Sequence, residues 1–302
     1  MAVIPLFARL ISMLYISVVG TRANCHPAPS RAVLAVPQWQ SIYKARMLGA
    51  DAEMAHFTVV TLDLWDTLIH ERPDATESAS SARVRMIGGV LASRGLLEHP
   101  DQLRPAYDRS GRYLETVWSK GLDLPVEDQV LYMFRALGDS WPDVLAEKDL
   151  SDIVRMYSEV ILSRPPVMLD GARELLGSLR GSGHRLALIS NTGRTPGRVL
   201  RTVLERMGLL EHFELTAFSD ELLARKPSPK VFGSVLARLG VPPDSVVHLG
   251  DNVEADIVGA KSFGMSAVQV ALAGQPRHEL ADGYVNRLDQ LPECVRRLEA
   301  KL

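Results

Sequence analysis

Five short apolar runs, each followed by a stretch long enough for a helix, constrain the fold of this chain more than any other feature. Thr58–Asp63 (TVVTLD), Arg185–Ser190 (RLALIS), Phe213–Ser219, Val246–Gly250 (VVHLG) and Ser266–Val270 (SAVQV) read as strands. Gly171–Leu179, Arg198–Met207, Ser228–Leu239 and Val253–Phe263 read as helices, and the tail Leu288–Leu302 as a closing helix. Ser228 is placed to cap its helix, with Pro229 at the first helical position where the missing N–H costs nothing. Strands that are apolar throughout need cover on both faces, which helical crossovers supply. The expected fold is therefore α/β, a mostly parallel sheet with helices on both sides.

Between the first two strands the period changes. Arg83-Val84, Ile87 and Val90-Leu91 recur at helical spacing, as do Val130-Leu131, Phe134 and Leu137, then Ile153-Val154, Tyr157 and Val160-Ile161. No strand-like run interrupts Ser78–Leu162, so an inserted α-helical cap is expected over 73–164, with the core built from 54–72 and 165–302. Residues 1–53 read as an N-terminal extension, either disordered or preceding a natural start at Met54. Its apolar run Leu10–Gly20 is short for a bilayer span, and Thr21-Arg22-Ala23-Asn24 makes a poor signal cleavage site. Lys plus Arg number 34 against 36 Asp plus Glu, a balance that gives no basic footprint for nucleic acid or stable membrane association. Cysteine occurs only as Cys25 and Cys294, which fits a reducing, cytoplasmic setting and argues against a disulfide framework or zinc–thiolate site. Oligomeric state stays open.

Ligands in open parallel sheets bind at the carboxyl ends of the strands. The first strand ends in Asp63-Leu64-Trp65-Asp66-Thr67-Leu68 and the second in Ser190-Asn191-Thr192-Gly193. Arg225-Lys226-Pro227 precedes a helix, and Gly250-Asp251-Asn252 ends a further strand, with Asp256 one turn on. Singly, each has a plain reading: an Asp after a strand forms turns, and a lone Lys is a solvated charge. Together they bring carboxylates, a hydroxyl, an amide and an ammonium to one sheet edge. Crowded carboxylates suit a hard cation such as Mg2+, and a lysine and a hydroxyl can hold a dianion beside it. That combination matches phosphoryl-transfer chemistry.

DLWDTL (Asp63–Leu68), LISN (Leu188–Asn191), RKPSPKVF (Arg225–Phe232) and GDNVEAD (Gly250–Asp256) resemble, in order and strand context, the four motifs of the haloacid dehalogenase-like superfamily. The likeness runs from Thr58 to Leu302, and the helical insert resembles the cap of the branch holding phosphoglycolate phosphatases and haloacid dehalogenases. The resemblance implies a Rossmann-like core and a hydrolase of a small phosphorylated molecule. It implies Asp63 as the nucleophile that forms an aspartyl-phosphate, with Ser190 and Asn191 on the oxygens of the transferring group. Lys226 would neutralise charge on both. Mg2+ would bind Asp63, Asp251 and the backbone carbonyl of Trp65, with Asp256 supporting it directly or through water.

Trp65 departs from the pattern. Phosphatases of this superfamily usually place there a second aspartate that protonates the leaving oxygen, a contribution of about a hundredfold to ten-thousandfold for general acid–base catalysis. Asp66, where the family commonly has glycine, is the candidate substitute, and cap residues are another source. Two rivals follow: a 2-haloacid dehalogenase using the same Asp63, whose leaving halide needs no proton, and a catalytically retired binding protein. His248 reads as a core or supporting residue, since no partner His or Cys has metal spacing. Trp118, Trp141, Tyr107, Tyr113 and Tyr132 read as helix packing or as walls of a substrate pocket, and Arg83, Arg109 and Arg112 as solvated surface ahead of partners for a substrate carboxylate.

Overall fold

The computed structural model describes residues 57–72, 77–138, 141 and 145–301, so the expectations for the N-terminal extension lie outside the described residues. Six strands form one sheet in the order β5-β4-β1-β6-β7-β8. These are β1 (Val59–Leu62), β4 (Arg185–Ser190), β5 (Leu215–Phe218), β6 (Val246–Gly250), β7 (Ser266–Val270) and β8 (Gly283–Val285), and every neighbouring pair is parallel. β1 is central. Its Leu62 lies level with Leu188 of β4 and Leu249 of β6, so three strands end together and the residues after them share one edge.

The pleat explains the two apolar layers. Val60 and Leu62 of β1, with Leu186 and Leu188 of β4, face one side. There they pack on α5 (Ala172–Gly181), α6 (Gly197–Arg206) and α8 (Leu291–Glu299), through residues such as Leu176, Leu200 and Val295. Val59, Ala187, Ile189 and Val246 face the other side, against α7 (Pro229–Leu239) through Val231, Phe232 and Val235. Burying one such side chain is worth about 1.5–3 kcal/mol, which is why the alternation fixes strand register so firmly.

The residues between the first and second core strands form α1 (Ala79–Ser93), α2 (Arg104–Trp118), α3 (Val126–Arg135) and α4 (Glu147–Ser163). They close on an apolar cluster of their own, with Ile87, Tyr107, Val130, Phe134, Ile153 and Tyr157 at its centre. Where the chain leaves and re-enters the core, β2 (Ile69–His70) pairs antiparallel with β3 (Val167–Met168).

The departures from expectation have local causes. The ribbon of β2 with β3 and the strand β8 are two or three residues long, too short to show a period. Gly283 of β8 is needed because a Cβ there would stand 2.5 Å from Cys294 Sγ. The helix expected over Val253–Phe263 opens as a π-helix, Val253–Val258, before the α-turn Gly259–Ser262. Asn252 caps it, its side chain accepting from Ala255 N at 2.9 Å. Ser228 sits at the N-cap of α7 ahead of Pro229, but its hydroxyl makes no capping bond.

Candidate active site

β1 delivers Asp63 to the middle of the sheet edge, where its amide donates to Leu249 O at 2.9 Å and continues the ladder one residue beyond the strand. One carboxylate oxygen of Asp63 accepts from Lys226 Nζ at 2.6 Å. The same ammonium lies 2.6 Å from Asp256 Oδ1. Lys226 is only 4% exposed, so the sequence-based alternative of a solvated lysine is excluded. Oxygens of Asp63, Asp251 and Asp256 all lie within 4.8 Å of one another. The structure thus brings together Asp63, Lys226, Asp251 and Asp256, contributed by three separate segments of the chain.

The electrostatics follow from this crowding. Burial, opposed by Lys226 and reinforced by Asp256 and Asp251, pushes the Asp63 carboxyl up to about 7. Burial and the nearby Asp256 and Asp66 carboxylates raise Asp251 to about 6. Asp256 goes the other way: burial would raise it, but Lys226 and His248 outweigh that and hold it at about 2. Burial works against the Lys226 ammonium, yet Asp256 and Asp63 more than compensate and raise its pKa. Three carboxylates therefore face one lysine, a set of hard oxygen donors with more negative charge than the lysine can balance. A divalent cation with oxygen ligands fits that imbalance.

Asp256 is held from behind. His248, fully buried on β6, places Nε2 3.1 Å from Asp256 Oδ1 and Nδ1 2.8 Å from Thr61 Oγ1 of β1. Burial lowers the pKa of His248, so the ring is neutral, with Nε2–H donating to Asp256 and Nδ1 accepting from the threonine hydroxyl. The supporting role read from the sequence is what this geometry provides. Asn252 N donates to Asp256 Oδ2 at 3.0 Å. Gly250 leaves the space: a Cβ on it would stand 2.3 Å from Asp256 Cγ.

Ser190, at the end of β4, has a buried hydroxyl with no hydrogen-bond partner among the described residues, and so does Thr67 in the first motif. A buried polar atom without a partner costs about 1–3 kcal/mol. Ser190 is thus suited to a ligand that the protein itself does not supply. Asn191 makes two contacts within the protein. Its Oδ1 accepts from Lys226 N at 2.8 Å and its Nδ2 donates to Lys226 O at 3.0 Å. The carboxamide clamps the backbone of the lysine, leaving one amide hydrogen for any substrate oxygen.

Asp66 has φ 53°, the left-handed region that glycine adopts freely and Asp tolerates, which accounts for the glycine usual at this position. Its side chain is exposed and near enough to Asp251 to raise that group's pKa. Trp65 is half-buried against the apolar layer that contains Leu62 and Leu188. Arg83 corrects the surface reading: it is 5% exposed, with Nε donating to Tyr157 O at 2.7 Å and Nη2 to Thr195 Oγ1 at 3.1 Å. Arg109 and Arg112 are exposed, as expected. Sequence reasoning passed over Asp123, a buried carboxylate from the turn between α2 and α3, because a lone Asp between Gly121 and Pro125 carries only a turn signal.

Comparisons with known proteins identify the family and the fold. A family model described as haloacid dehalogenase-like hydrolase matches residues 57–264. The mouse haloacid dehalogenase-like hydrolase domain-containing protein 3 is 32% identical over 225 residues, 72% of this chain and 84% of that protein. A glyceraldehyde 3-phosphate phosphatase of Pyrococcus furiosus is 33% identical over 132 residues, 42% of this chain and 54% of that enzyme. Among solved structures, a 2-haloacid dehalogenase from Pseudomonas syringae pv. tomato superposes with a TM-score of 0.59 at 23% identity, covering 80% of this chain and 99% of that one. At that identity the likeness is one of fold.

Proposed function

This chain belongs to the haloacid dehalogenase-like hydrolase family, and we propose that it is a Mg2+-dependent phosphatase of small phosphorylated metabolites, working through an aspartyl-phosphate on Asp63. The observation that carries the reading is the buried contact of Asp63 with Lys226 beside Asp251 and Asp256. Relatives named as phosphatases support the substrate class.

In this reading a carboxylate oxygen of Asp63 attacks phosphorus, the bond from phosphorus to the leaving oxygen breaks, and that oxygen takes a proton. Water then attacks the phosphorus of the aspartyl-phosphate and frees inorganic phosphate and Asp63. Lys226 holds Asp63 and the phosphoryl oxygens at the reacting edge, and the unpartnered hydroxyl of Ser190 donates to one of those oxygens. Asn191 acts through Lys226 by fixing its backbone. Asp63, Asp251, Asp256 and the carbonyl of Trp65 would hold Mg2+, which when bound supplies positive charge against the phosphoryl dianion. Asp66 is the proposed acid–base residue, being exposed at the Asp251 side of the site. Residues 73–164 are the proposed cap that shuts the reacting edge from water.

Trp65 favours a second reading, a 2-haloacid dehalogenase, because that reaction needs no leaving-group acid. Against it stand Asp251 and Asp256, whose charges would repel a haloacid carboxylate. A panel of acyl, aryl and alkyl phosphates and 2-haloacids, assayed with Mg2+ and with chelator, separates the two. The phosphatase releases phosphate only with Mg2+, and Asp66→Asn slows alkyl esters more than acyl phosphates. Halide release that persists in chelator would replace the phosphatase reading with the dehalogenase one.

A further inference from the structure

Asp123 lies in the turn that joins α2 to α3, outside all four motifs, yet it is 3% exposed and accepts five hydrogen bonds. Oδ1 takes Trp118 Nε1 at 2.9 Å and its neighbour Leu124 N at 2.8 Å, which fix the carboxylate within the helical segment. Oδ2 turns to the core and takes Arg225 Nη1 at 2.8 Å, Ser219 Oγ at 2.5 Å and Thr192 Oγ1 at 3.3 Å. The guanidinium of Arg225 also lies 4.5 Å over the Trp118 ring and donates to Thr192 O.

The core residues that Asp123 holds are neighbours of the reacting groups. Arg225 immediately precedes Lys226, and Thr192 immediately follows Asn191. The two loops are already linked by the Asn191 clamp on the Lys226 backbone. Asp123 therefore holds the same pair of loops one residue further out, from a different part of the chain. A backbone bond adds to it, Arg225 N donating to Gly121 O at 2.9 Å. The next residues of the β4 loop are gripped from the same segment: Arg194 enters between Tyr107 and Tyr157, 2.7 Å from the Tyr157 hydroxyl, and Arg83 holds Thr195. Gly111 admits that guanidinium, since a Cβ there would stand 2.8 Å from Arg194 Nη2.

We propose that Asp123 is a positioning residue that couples docking of the helical segment to assembly of the active site, holding in register the loops that present Ser190, Asn191 and Lys226. The coupling rests on the phosphatase reading only for which reaction it serves. An undocked segment leaves Arg225 and Thr192 without their shared acceptor, so Lys226 and Ser190 converge on a phosphoryl group only when the segment closes. Misplacing reacting groups by about 1 Å costs on the order of a hundredfold in rate, so a residue with no substrate contact can control turnover.

The test compares wild type, Asp123→Asn, Arg225→Gln, the double variant, and Val295→Ala in α8 as a destabilised control remote from the site. Removing one charge strands the other in a buried position and endangers folding, whereas the double variant leaves no buried ion unpaired. Amide hydrogen exchange is followed without substrate at Thr192, Arg225 and Lys226. Exchange at these amides is expected to quicken about tenfold or more in the double variant and not in Val295→Ala. Phosphate-ester kcat is expected to fall on the order of 10- to 100-fold, with neither single variant more active than the double by more than about twofold. Exchange within about twofold of wild type in the folded double variant would overturn the proposal. So would unchanged kcat in an otherwise active protein. Exchange decides the assembly claim alone if the wild type hydrolyses no phosphate ester, a result that would remove the phosphatase reading instead.

Discussion

Gly250→Ala tests how rigidly the carboxylate cluster is built. The added Cβ would stand 2.3 Å from Asp256 Cγ, 2.4 Å from its Oδ2 and 2.6 Å from its Cβ, so the whole side chain must move. Reaching ordinary contact requires a retreat of roughly 1 Å. Asp256 has little room for it, being fully buried and held by Lys226 at 2.6 Å, Asn252 N at 3.0 Å and His248 at 3.1 Å. A shift of that size carries most of these contacts past about 3.5 Å, where they cease to be hydrogen bonds. Each bond to a charged group is worth about 1.5–3 kcal/mol, and overpacking alone costs about 1–3 kcal/mol. A combined loss of about 3–5 kcal/mol lowers Tm by roughly 10 °C for a chain of this size. Thermal melting by circular dichroism and Mg2+ titration by calorimetry measure the two consequences, lower stability and weaker metal binding. Gly177→Ala in α5 is the matched control: its Cβ meets nothing within 4 Å, so it should be neutral or stabilise by about 0.5–1 kcal/mol. A Gly250→Ala protein that melts with the wild type and binds Mg2+ equally well would refute the reasoning, because Asp256 would then be free to move.

Three further outcomes are expected. Asp63 and Asp251 titrate at about 7 and about 6 in the folded chain against an ordinary 3.8, so the native state holds more protons than the unfolded chain between these values. These two carboxylates should therefore lower stability without divalent cation as pH rises from about 4 to about 7, most plainly above 6.5, since the lowered pKa of His248 acts in the opposite sense below that value and Asp256 does so below about pH 4. Because Mg2+ needs the deprotonated carboxylates, its gain in Tm should be larger at about pH 7.5 than at about pH 5.5; an equal gain at both would place the metal elsewhere. Trp65→Asp should restore a leaving-group acid and speed alkyl phosphate hydrolysis on the order of tenfold to a hundredfold, leaving acyl phosphates nearly unchanged. Uniform effects on both classes would show that protonation of the leaving group is not what Trp65 withholds.

The sheet and the positions of Asp63 and Asp251 at its edge were legible because each depends on local pattern, whereas Lys226 and Asp256 are read through the motifs that hold them. A strand buried on both faces must be apolar to its end, and a polar residue directly after it marks the edge. Elements that were not legible depend on side-chain contacts that no strand or helix period shows, some near in sequence and some far. β8 exists because Gly283 admits Cys294, and the π-turn at Val253–Val258 carries Asp256 inward against Gly250. The role of Asn191 is set by Lys226, which lies 35 residues away. Asp123 reaches Ser219 and Arg225, roughly 100 residues on, and no spacing rule connects them. Arg83 reads as surface because arginine is seldom buried, and the Tyr157 carbonyl that receives it lies 74 residues away.

The central claim is that Asp63 takes the phosphoryl group. Wild-type protein mixed with Mg2+ and a reactive acyl or aryl phosphate, then quenched in acid within the first turnover, should carry one added phosphoryl group, mapped by peptide mass spectrometry to Asp63. Asp63→Asn should carry none and release no phosphate. Phosphate release from the wild type with Asp63 unmodified at every quench time, or undiminished release from Asp63→Asn, would contradict the account.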